Sequence, residues 1–315
     1  MEHKEEVLKR AMDTLEFTMG FDIVSYMQDP DITEVIVNPD GKIWVDSFKK
    51  GHYCTQKNLD PERTRQIIYQ VADMKGTVCT LDSPMLEAEL PDGSRFQGYI
   101  PDVVSSPSII IRKHAVYEMT LMDYVKNGTM TEHQYDAIMG AIKSHKNILA
   151  AGGTNTGKTT FLNAILSEIS SLHERIVLIE DTPELQCTAE DYLALRTSDS
   201  TDMAALLRGT LRSSPKRIVV GEVRGAEALS LLDAWSTGHS GGCSTVHSNS
   251  AEQTLNRLER MVSRVSVTPQ YETIAEAVDV IVYLKLKGMK RYIEEVIAVD
   301  GYDAQKEKYI IRRIA

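Results

Sequence analysis

The run Gly152-Gly153-Thr154-Asn155-Thr156-Gly157-Lys158-Thr159 constrains this chain more than any other feature. It lies between an apolar segment, Asn147 to Ala151, and a helix-forming segment that starts at Lys158. The pattern G-x-x-x-x-G-K-[ST] carries meaning only in such a strand-then-helix context. Glycines let successive backbone N–H groups turn inward and form a nest for an anion. The helix that follows adds the positive end of its dipole. A lysine at 158 brings a point charge to the β and γ phosphates of a nucleotide, and the Thr159 hydroxyl suits Mg²⁺. The residues expected to bind phosphate are therefore Gly153, Thr154, Asn155, Thr156, Gly157, Lys158, Thr159 and Thr160.

The sequence around this run alternates in the same way. Strand-like segments at Arg175–Glu180, Arg217–Gly221 and Gly242–His247 are separated by helical ones at Thr201–Arg212 and Ala226–Trp235. Strands alternating with helices indicate a parallel sheet with crossovers. After a helix at Ala251–Ser263, the strand-like segments Asp279–Leu286, Arg291–Val299 and Lys308–Ile314 are expected to extend that sheet in antiparallel fashion.

The first 115 residues follow a different, α+β pattern. Glu34–Asn38 and Lys42–Asp46 flank Pro39-Asp40-Gly41, a hairpin signal in which Pro presets φ and Gly supplies positive φ. Pro61–Lys75 reads as a helix with Asp60 as its cap. A turn at Pro91-Asp92-Gly93 leads into a strand at Ser94–Ile100, and Ser108–Arg112 is another strand. The first 17 residues read as a soluble cap helix, with Val7, Leu8, Met12 and Leu15 on one face. Val116–Asn127 reads as a linker helix and Thr131–Ser144 as a further helix. The expected organisation is an N-terminal α+β domain over 1–115, a linker over 116–130 and an ATPase domain over 131–315. A length of 315 residues suits two domains, and 42% hydrophobic residues suffice for a core in each.

Charge and cysteines narrow the function classes. A net charge of −10 argues against direct binding of duplex DNA, which needs clustered Lys and Arg. The four cysteines, at 54, 79, 187 and 243, form no CxxC pair, so neither a zinc knuckle nor a disulfide framework is indicated. Scattered free thiols fit a reducing compartment. No segment approaches the roughly 20 apolar residues that span a bilayer.

A phosphate loop hydrolyses nothing without a metal partner and a group that orients water. Glu180-Asp181 follows the apolar run Arg175–Ile179, and Glu222 follows Arg217–Gly221. Carboxylates at strand ends face the ligand crevice of an open α/β sheet. The alternative for each is a loop carboxylate that caps the next helix. His239 and His247 bracket a Gly/Ser-rich stretch. A zinc site would need a third ligand, and none stands at suitable spacing. The pair reads instead as γ-phosphate sensing or coupling to a neighbouring subunit, with a satisfied structural histidine as the alternative for His239.

The segments GGTNTGKTT, IEDTPEL (Ile179 to Leu185) and VVGEVRGAEALSLLDAWSTGHSGGCSTVHSNS (Val219 to Ser250) resemble the secretion ATPase superfamily, which serves type IV secretion, type II secretion and type IV pili. Its Walker A, acidic box, Walker B and His box occur here in that order. The flanks NPDGKIWVD, LPDGSRFQGYIPDVV and IIIRKHA look most like the conjugal-transfer ATPases of the TrbB type. The resemblance implies a RecA-like P-loop NTPase domain after a smaller N-terminal module, with ATP between them, in a homohexameric ring. It puts Lys158 and Thr159 on phosphate and Mg²⁺, and Thr159, Glu180 and Glu222 around the metal. Glu180 and Glu222 match the acidic-box and Walker B glutamates, which polarise the water directly or through Mg²⁺. His247, and less directly His239, match the His box. Arg95 and Arg112 match N-terminal arginines that reach the nucleotide phosphates from the same or a neighbouring subunit; without the resemblance both read as surface salt-bridge residues. The loop departs from the common TGSGKTT at Asn155 and Thr156, and Asn tolerates a left-handed backbone better than most residues.

The expected function is an ATP-hydrolysing motor of type IV secretion and conjugative DNA transfer. Its expected place is the cytoplasm, peripheral at the inner-membrane face, with inner-membrane components of a transfer apparatus as partners. Three rivals stand beside it. One is a type IV pilus or type II secretion ATPase, although the tetracysteine zinc module of many type II enzymes is missing. Another is a RecA-like nucleic-acid motor, disfavoured by acidic charge and 6% aromatic residues. The third is a regulatory switch set by nucleotide binding alone.

Overall fold

The computed structural model describes residues 2–113, 119–288 and 290–315, with the backbone alone for residues 2–5 and 7–9. The chain divides into two compact units, Met1–Tyr117 and Glu118–Ala315.

The first unit runs α1 (Glu2–Gln28), β1 (Ile32–Val37), β2 (Lys42–Ser47), β3 (Gly51–Asn58), α2 (Pro61–Lys75), β4 (Met85–Glu89), β5 (Arg95–Tyr99) and β6 (Ser108–Arg112). Its strands form one sheet in the order β3-β2-β1-β6-β5-β4, antiparallel at every step. Alternation along each strand makes one face apolar. Val35, Val37, Phe96, Ile109 and Ile111 on that face share a core with Leu15, Met19 and Ile23 of α1 and Ile67, Ile68 and Val71 of α2. Asp60 caps α2 by accepting from the amides of Glu62 and Arg63. The helix expected over the first 17 residues continues to Gln28 and breaks direction at Gly20 (φ 77°, ψ 170°). Of the predicted apolar stripe, Leu15 is buried and Met12 packs against the core, while the side chains of Val7 and Leu8 lie outside the described residues.

The opposite face of this sheet is charged. In register across the strands stand Glu89, Arg95, Arg112, Glu34, Asp46 and His52. Adjacent like charges destabilise a sheet unless opposite charges flank them. Here Arg95 and Arg112 lie between Glu89 and Glu34, and Asp46 Oδ1 lies 2.6 Å from His52 Nδ1. Burial and the neighbouring Asp46 still raise the Glu34 carboxyl above the ordinary glutamate value.

The second unit runs α3 (Leu121–Lys126), α4 (Glu132–Lys143), β7 (Ile148–Gly152), α5 (Lys158–Ser170), β8 (Ile176–Glu180), β9 (Tyr192–Arg196), α6 (Met203–Thr210) and β10 (Arg217–Val223), then α7 (Glu227–Ser236), β11 (Cys243–His247), α8 (Ala251–Val262), α9 (Tyr271–Ala277), β12 (Val280–Lys287), β13 (Lys290–Asp303) and β14 (Lys308–Arg313). The sheet order is β14-β13-β12-β7-β11-β10-β8-β9. From β12 to β9 every pairing is parallel. This corrects the expectation for the tail: β12 joins the parallel core beside β7, and only β13 and β14 are antiparallel additions. A parallel sheet is covered on both faces, so its strands read as continuous apolar runs. Leu149 and Ala151 of β7 enter one core with α6 to α9, and Ile148 and Ala150 enter the other with α3 to α5.

The stretch expected as a linker reaches into this second core. Val116 to Glu118 lie outside the described residues, but Leu121, Tyr124 and Met130 are buried, and Tyr124 packs edge-on against Phe161 with ring centroids 5.5 Å apart.

One buried cation ties the amino-terminal edge of this sheet together. Arg217 is fully buried; Nε pairs with Glu174, Nη1 donates to the Gly241 carbonyl at 3.0 Å and Nη2 to the Ile142 carbonyl at 3.1 Å. The other Glu174 oxygen lies 2.8 Å from His145 Nε2. Removing the guanidinium leaves two carbonyls and a partly buried carboxylate without their donor, which costs about 2–4 kcal/mol. Arg217→Met should lower the unfolding free energy by about that amount in urea titration; an unchanged denaturation midpoint would contradict this account.

Candidate active site

The phosphate loop starts where β7 ends. β7 lies between β12 and β11, so its carboxyl end opens at the point where the strand order turns, which in open α/β sheets is the ligand crevice. Gly157 takes φ 88° before α5, a region that only glycine enters without strain. Asn155 takes φ 60°, the left-handed conformation its side chain tolerates. Thr156 Oγ1 donates to the Gly153 carbonyl at 2.9 Å, and Lys158 Nζ donates to the same carbonyl at 2.8 Å. Lys158 and Thr156 are both buried. Thr154 is exposed at the loop's tip, and Thr159 and Thr160 are half-buried in the first turn of α5.

Three further residues stand at the carboxyl ends of neighbouring parallel strands: His247 on β11, opposite Gly152, Glu222 on β10, and Glu180 on β8. His247 touches both neighbours, with Nδ1 3.3 Å from Lys158 Nζ and Nε2 3.1 Å from Glu222 Oε1. An ammonium only donates, so Nδ1 accepts and the neutral ring carries its proton on Nε2, toward Glu222. The contact to Glu222 is within ion-pair range but out of line for a hydrogen bond, and Oε1 is a buried oxygen with no hydrogen-bond partner among the described residues. The other oxygen, Oε2, accepts from Arg224 Nη2 at 2.7 Å. Arg224 is placed by a tight turn after β10, where Glu227 Oε1 accepts from the amides of Arg224 and Gly225 at 2.6 and 2.8 Å.

Glu180 differs. Its Oε1 accepts from the backbone amides of Glu184 and Leu185, each at 2.9 Å, and so closes the loop after β8. It packs closely against β10 at Gly221, where a Cβ would lie 3.3 Å from Glu180 Cγ. One Glu180 oxygen is thus committed to the backbone, whereas Glu222 presents a free one.

His239 lies elsewhere. It precedes the first residue of β11 and His247 is the last, and five strand residues rise about 13 Å. His239 therefore belongs to the amino-terminal edge of the sheet, opposite the phosphate loop, and its half-buried ring leaves Nδ1 without a partner among the described residues. The expectation that it joins His247 at the phosphates is corrected: the strand between them carries them to opposite ends. Arg95 and Arg112 face one another on β5 and β6 in the first unit; the phosphate loop is in the second.

Two residues of the second unit escaped sequence reasoning. Arg224, inside the Walker B segment, orients Glu222. Arg291 at the start of β13 donates from Nε to the Asn155 carbonyl at 2.9 Å. Its signal is tertiary: 136 residues separate the two. Among the described residues no cluster of His, Cys, Asp or Glu forms a metal cage of its own. The available donors, a Thr159 hydroxyl and the unpartnered Glu222 oxygen, fit Mg²⁺, which takes its remaining ligands from phosphates and water.

Burial lowers the His247 pKa below the ordinary 6.5, and Lys158, Arg224 and Arg257 lower it further, while Glu222 opposes them. The ring is neutral at pH 7 and gains its proton only as pH falls below 6.5. In histidine NMR titrations the His247 midpoint should therefore lie below 6.5. Glu222→Gln should move it further down and Lys158→Met should move it up. Shifts of the opposite sign would contradict the assigned contacts.

Comparison with known proteins identifies the family. The family model "Type II/IV secretion system protein" matches residues 19–292. A conjugal transfer protein TrbB from Rhizobium radiobacter is 41% identical over 296 residues, covering 93% of this chain and 91% of the relative. The type IV secretion system protein VirB11 of Brucella suis is 29% identical over 313 residues, covering 86% of each. The crystal structure of the pilus retraction motor PilT with bound ADP superposes with a TM-score of 0.61 at 18% identity, over 93% of this chain and 81% of that one, which shows a shared fold. The chain, a smaller α+β unit followed by a RecA-like P-loop unit, belongs to the type II/IV secretion system protein family.

Proposed function

We propose that the chain hydrolyses ATP at the loop Gly152–Thr159 and that turnover powers a type IV secretion apparatus of the conjugal-transfer kind. The observation that carries the reading is the contact series Lys158–His247–Glu222 across the ends of β7, β11 and β10, at 3.3 and 3.1 Å. It puts a cation, a neutral imidazole and an unpartnered carboxylate oxygen around one phosphate nest. The name of the 41% identical relative supports the transfer process.

In this reading Lys158 and the loop amides hold the β and γ phosphates. Glu222 Oε1 accepts a hydrogen bond from the attacking water, with Arg224 fixing the carboxylate from its other oxygen. His247 follows the γ phosphate through Lys158 and Glu222. Glu180 shapes the loop beside the metal position. Thr159 would hold Mg²⁺, with Glu180 and Glu222 around the metal position; the ion would there neutralise charge on the phosphates. Arg95 and Arg112, from the same or a neighbouring subunit, are proposed to supply further positive charge to the phosphates. Such a cation is worth about 10³–10⁵ in rate where it has been measured.

We further propose a homohexameric ring, peripheral at the cytoplasmic face of an inner membrane and working with membrane components of the apparatus. No helix among the described residues is long and apolar enough to cross a membrane.

Glu222→Gln keeps the size and loses the charge. It should bind ADP within about threefold of wild type while orthophosphate release from ATP falls at least about 100-fold. Turnover at the wild-type rate would remove Glu222 from the chemistry. Arg112→Ala should lower kcat at least about tenfold with an unchanged circular dichroism spectrum; unchanged turnover would remove it from the site.

A further inference from the structure

Beside the loop Gly152–Thr159 lies a cavity of about 350 Å³, lined by Thr154 and His247 and by residues of α8 that have no role in the reading above. One wall is Thr154 at the tip of the loop, with His247 and Ser248 at the end of β11; the facing wall is α8, which presents Gln253, Arg257 and Arg260. These three α8 residues recur at i, i+4 and i+7, one face of a helix. The adjoining face, Thr254, Leu255, Leu258, Met261 and Val262, is buried and fixes the rotation of the helix.

Both cations are unmatched. Neither Arg257 nor Arg260 has a side-chain hydrogen bond or an ion pair among the described residues, although acidic residues outnumber basic ones 45 to 35 in this chain. Arg257 Nε is buried with no acceptor. A guanidinium carries five donors in a rigid fork that fits a tetrahedral oxyanion, and leaving a buried donor unmade is costly. Apart from Gly153, the rest of the lining is polar: Thr154, His247, Ser248, Asn249 and Gln253.

We infer that this cavity is an oxyanion subsite in which Arg257, aided by Arg260, holds a tetrahedral phosphoryl group. The inference rests on the reading that Gly152–Thr159 holds a nucleotide. Two sources share this chemistry. One is the γ-phosphoryl of bound ATP. The other is the orthophosphate left after water bonds to the γ phosphorus, the bond to the β–γ bridging oxygen breaks toward ADP, and a water proton is released. Phosphate held there touches His247 and Thr154, so its departure can be sensed at the loop itself.

The test uses the full chain with Arg257→Gln, Arg257→Lys and Arg260→Gln, and three probes: ADP, ATPγS and orthophosphate. If the subsite holds the γ-phosphoryl, Arg257→Gln loses about tenfold or more in ATPγS affinity and keeps ADP affinity. If it holds the product, ATPγS binding is kept and the orthophosphate concentration that half-inhibits turnover rises about tenfold or more. Arg257→Lys should restore part of either loss, because it keeps the charge without the fork. Arg260→Gln, at an exposed position, should show the same loss in smaller measure, and carries the test should Arg257→Gln not fold. Unchanged ATPγS binding and unchanged orthophosphate inhibition, with ADP binding intact, would overturn the subsite alone. A wild-type chain that binds neither ADP nor ATPγS would overturn the nucleotide reading and the subsite with it.

Discussion

Everything at this site depends on β7 being gripped from both sides. Its last residue, Gly152, pairs in register with His247 of β11 on one side and Leu284 of β12 on the other. Its residues are buried on both faces of the sheet. A loop leaving such a strand has a fixed start, and Asn155 and Gly157 turn its backbone through the left-handed region that anion nests use. Arg291 adds a further hold at the Asn155 carbonyl. The same pairing places His247: the residue opposite Gly152 stands beside the loop proposed to bind the phosphates.

The second consequence concerns the two glutamates. In sequence they look alike, each following an apolar strand. In the fold they are committed differently. Glu180 spends an oxygen on two backbone amides and packs closely against Gly221. Glu222 is held by Arg224 through one oxygen and presents the other toward His247. The two are thus anchored differently, Glu180 by backbone amides that close a loop and Glu222 by the side chain of an arginine two residues away.

Much of the fold was legible because its signals are local. The phosphate loop, the Asp60 cap of α2 and the hairpin around Gly41 are each specified within a few residues. What stayed hidden was either weakly patterned or non-local. β3, β4 and β9 are edge strands with mostly polar or exposed residues, and α9 has seven residues and no side-chain cap. The direction of β12 is a property of its partner: an apolar strand fits a parallel or an antiparallel slot equally well, and only the pairing with β7 decides. His239 and His247 share one sequence motif, and the strand between them divides it. Arg257 and Arg291 are single charged residues whose meaning lies in what the fold brings near them.

The account stands on Lys158 contacting phosphate from within this loop. The most direct measurement is orthophosphate release from saturating ATP with Mg²⁺ by the wild-type chain and by Lys158→Ala. The account predicts turnover by the wild type and a loss of at least about 100-fold in the variant, with the fold retained. A variant that hydrolyses ATP at the wild-type rate would contradict it.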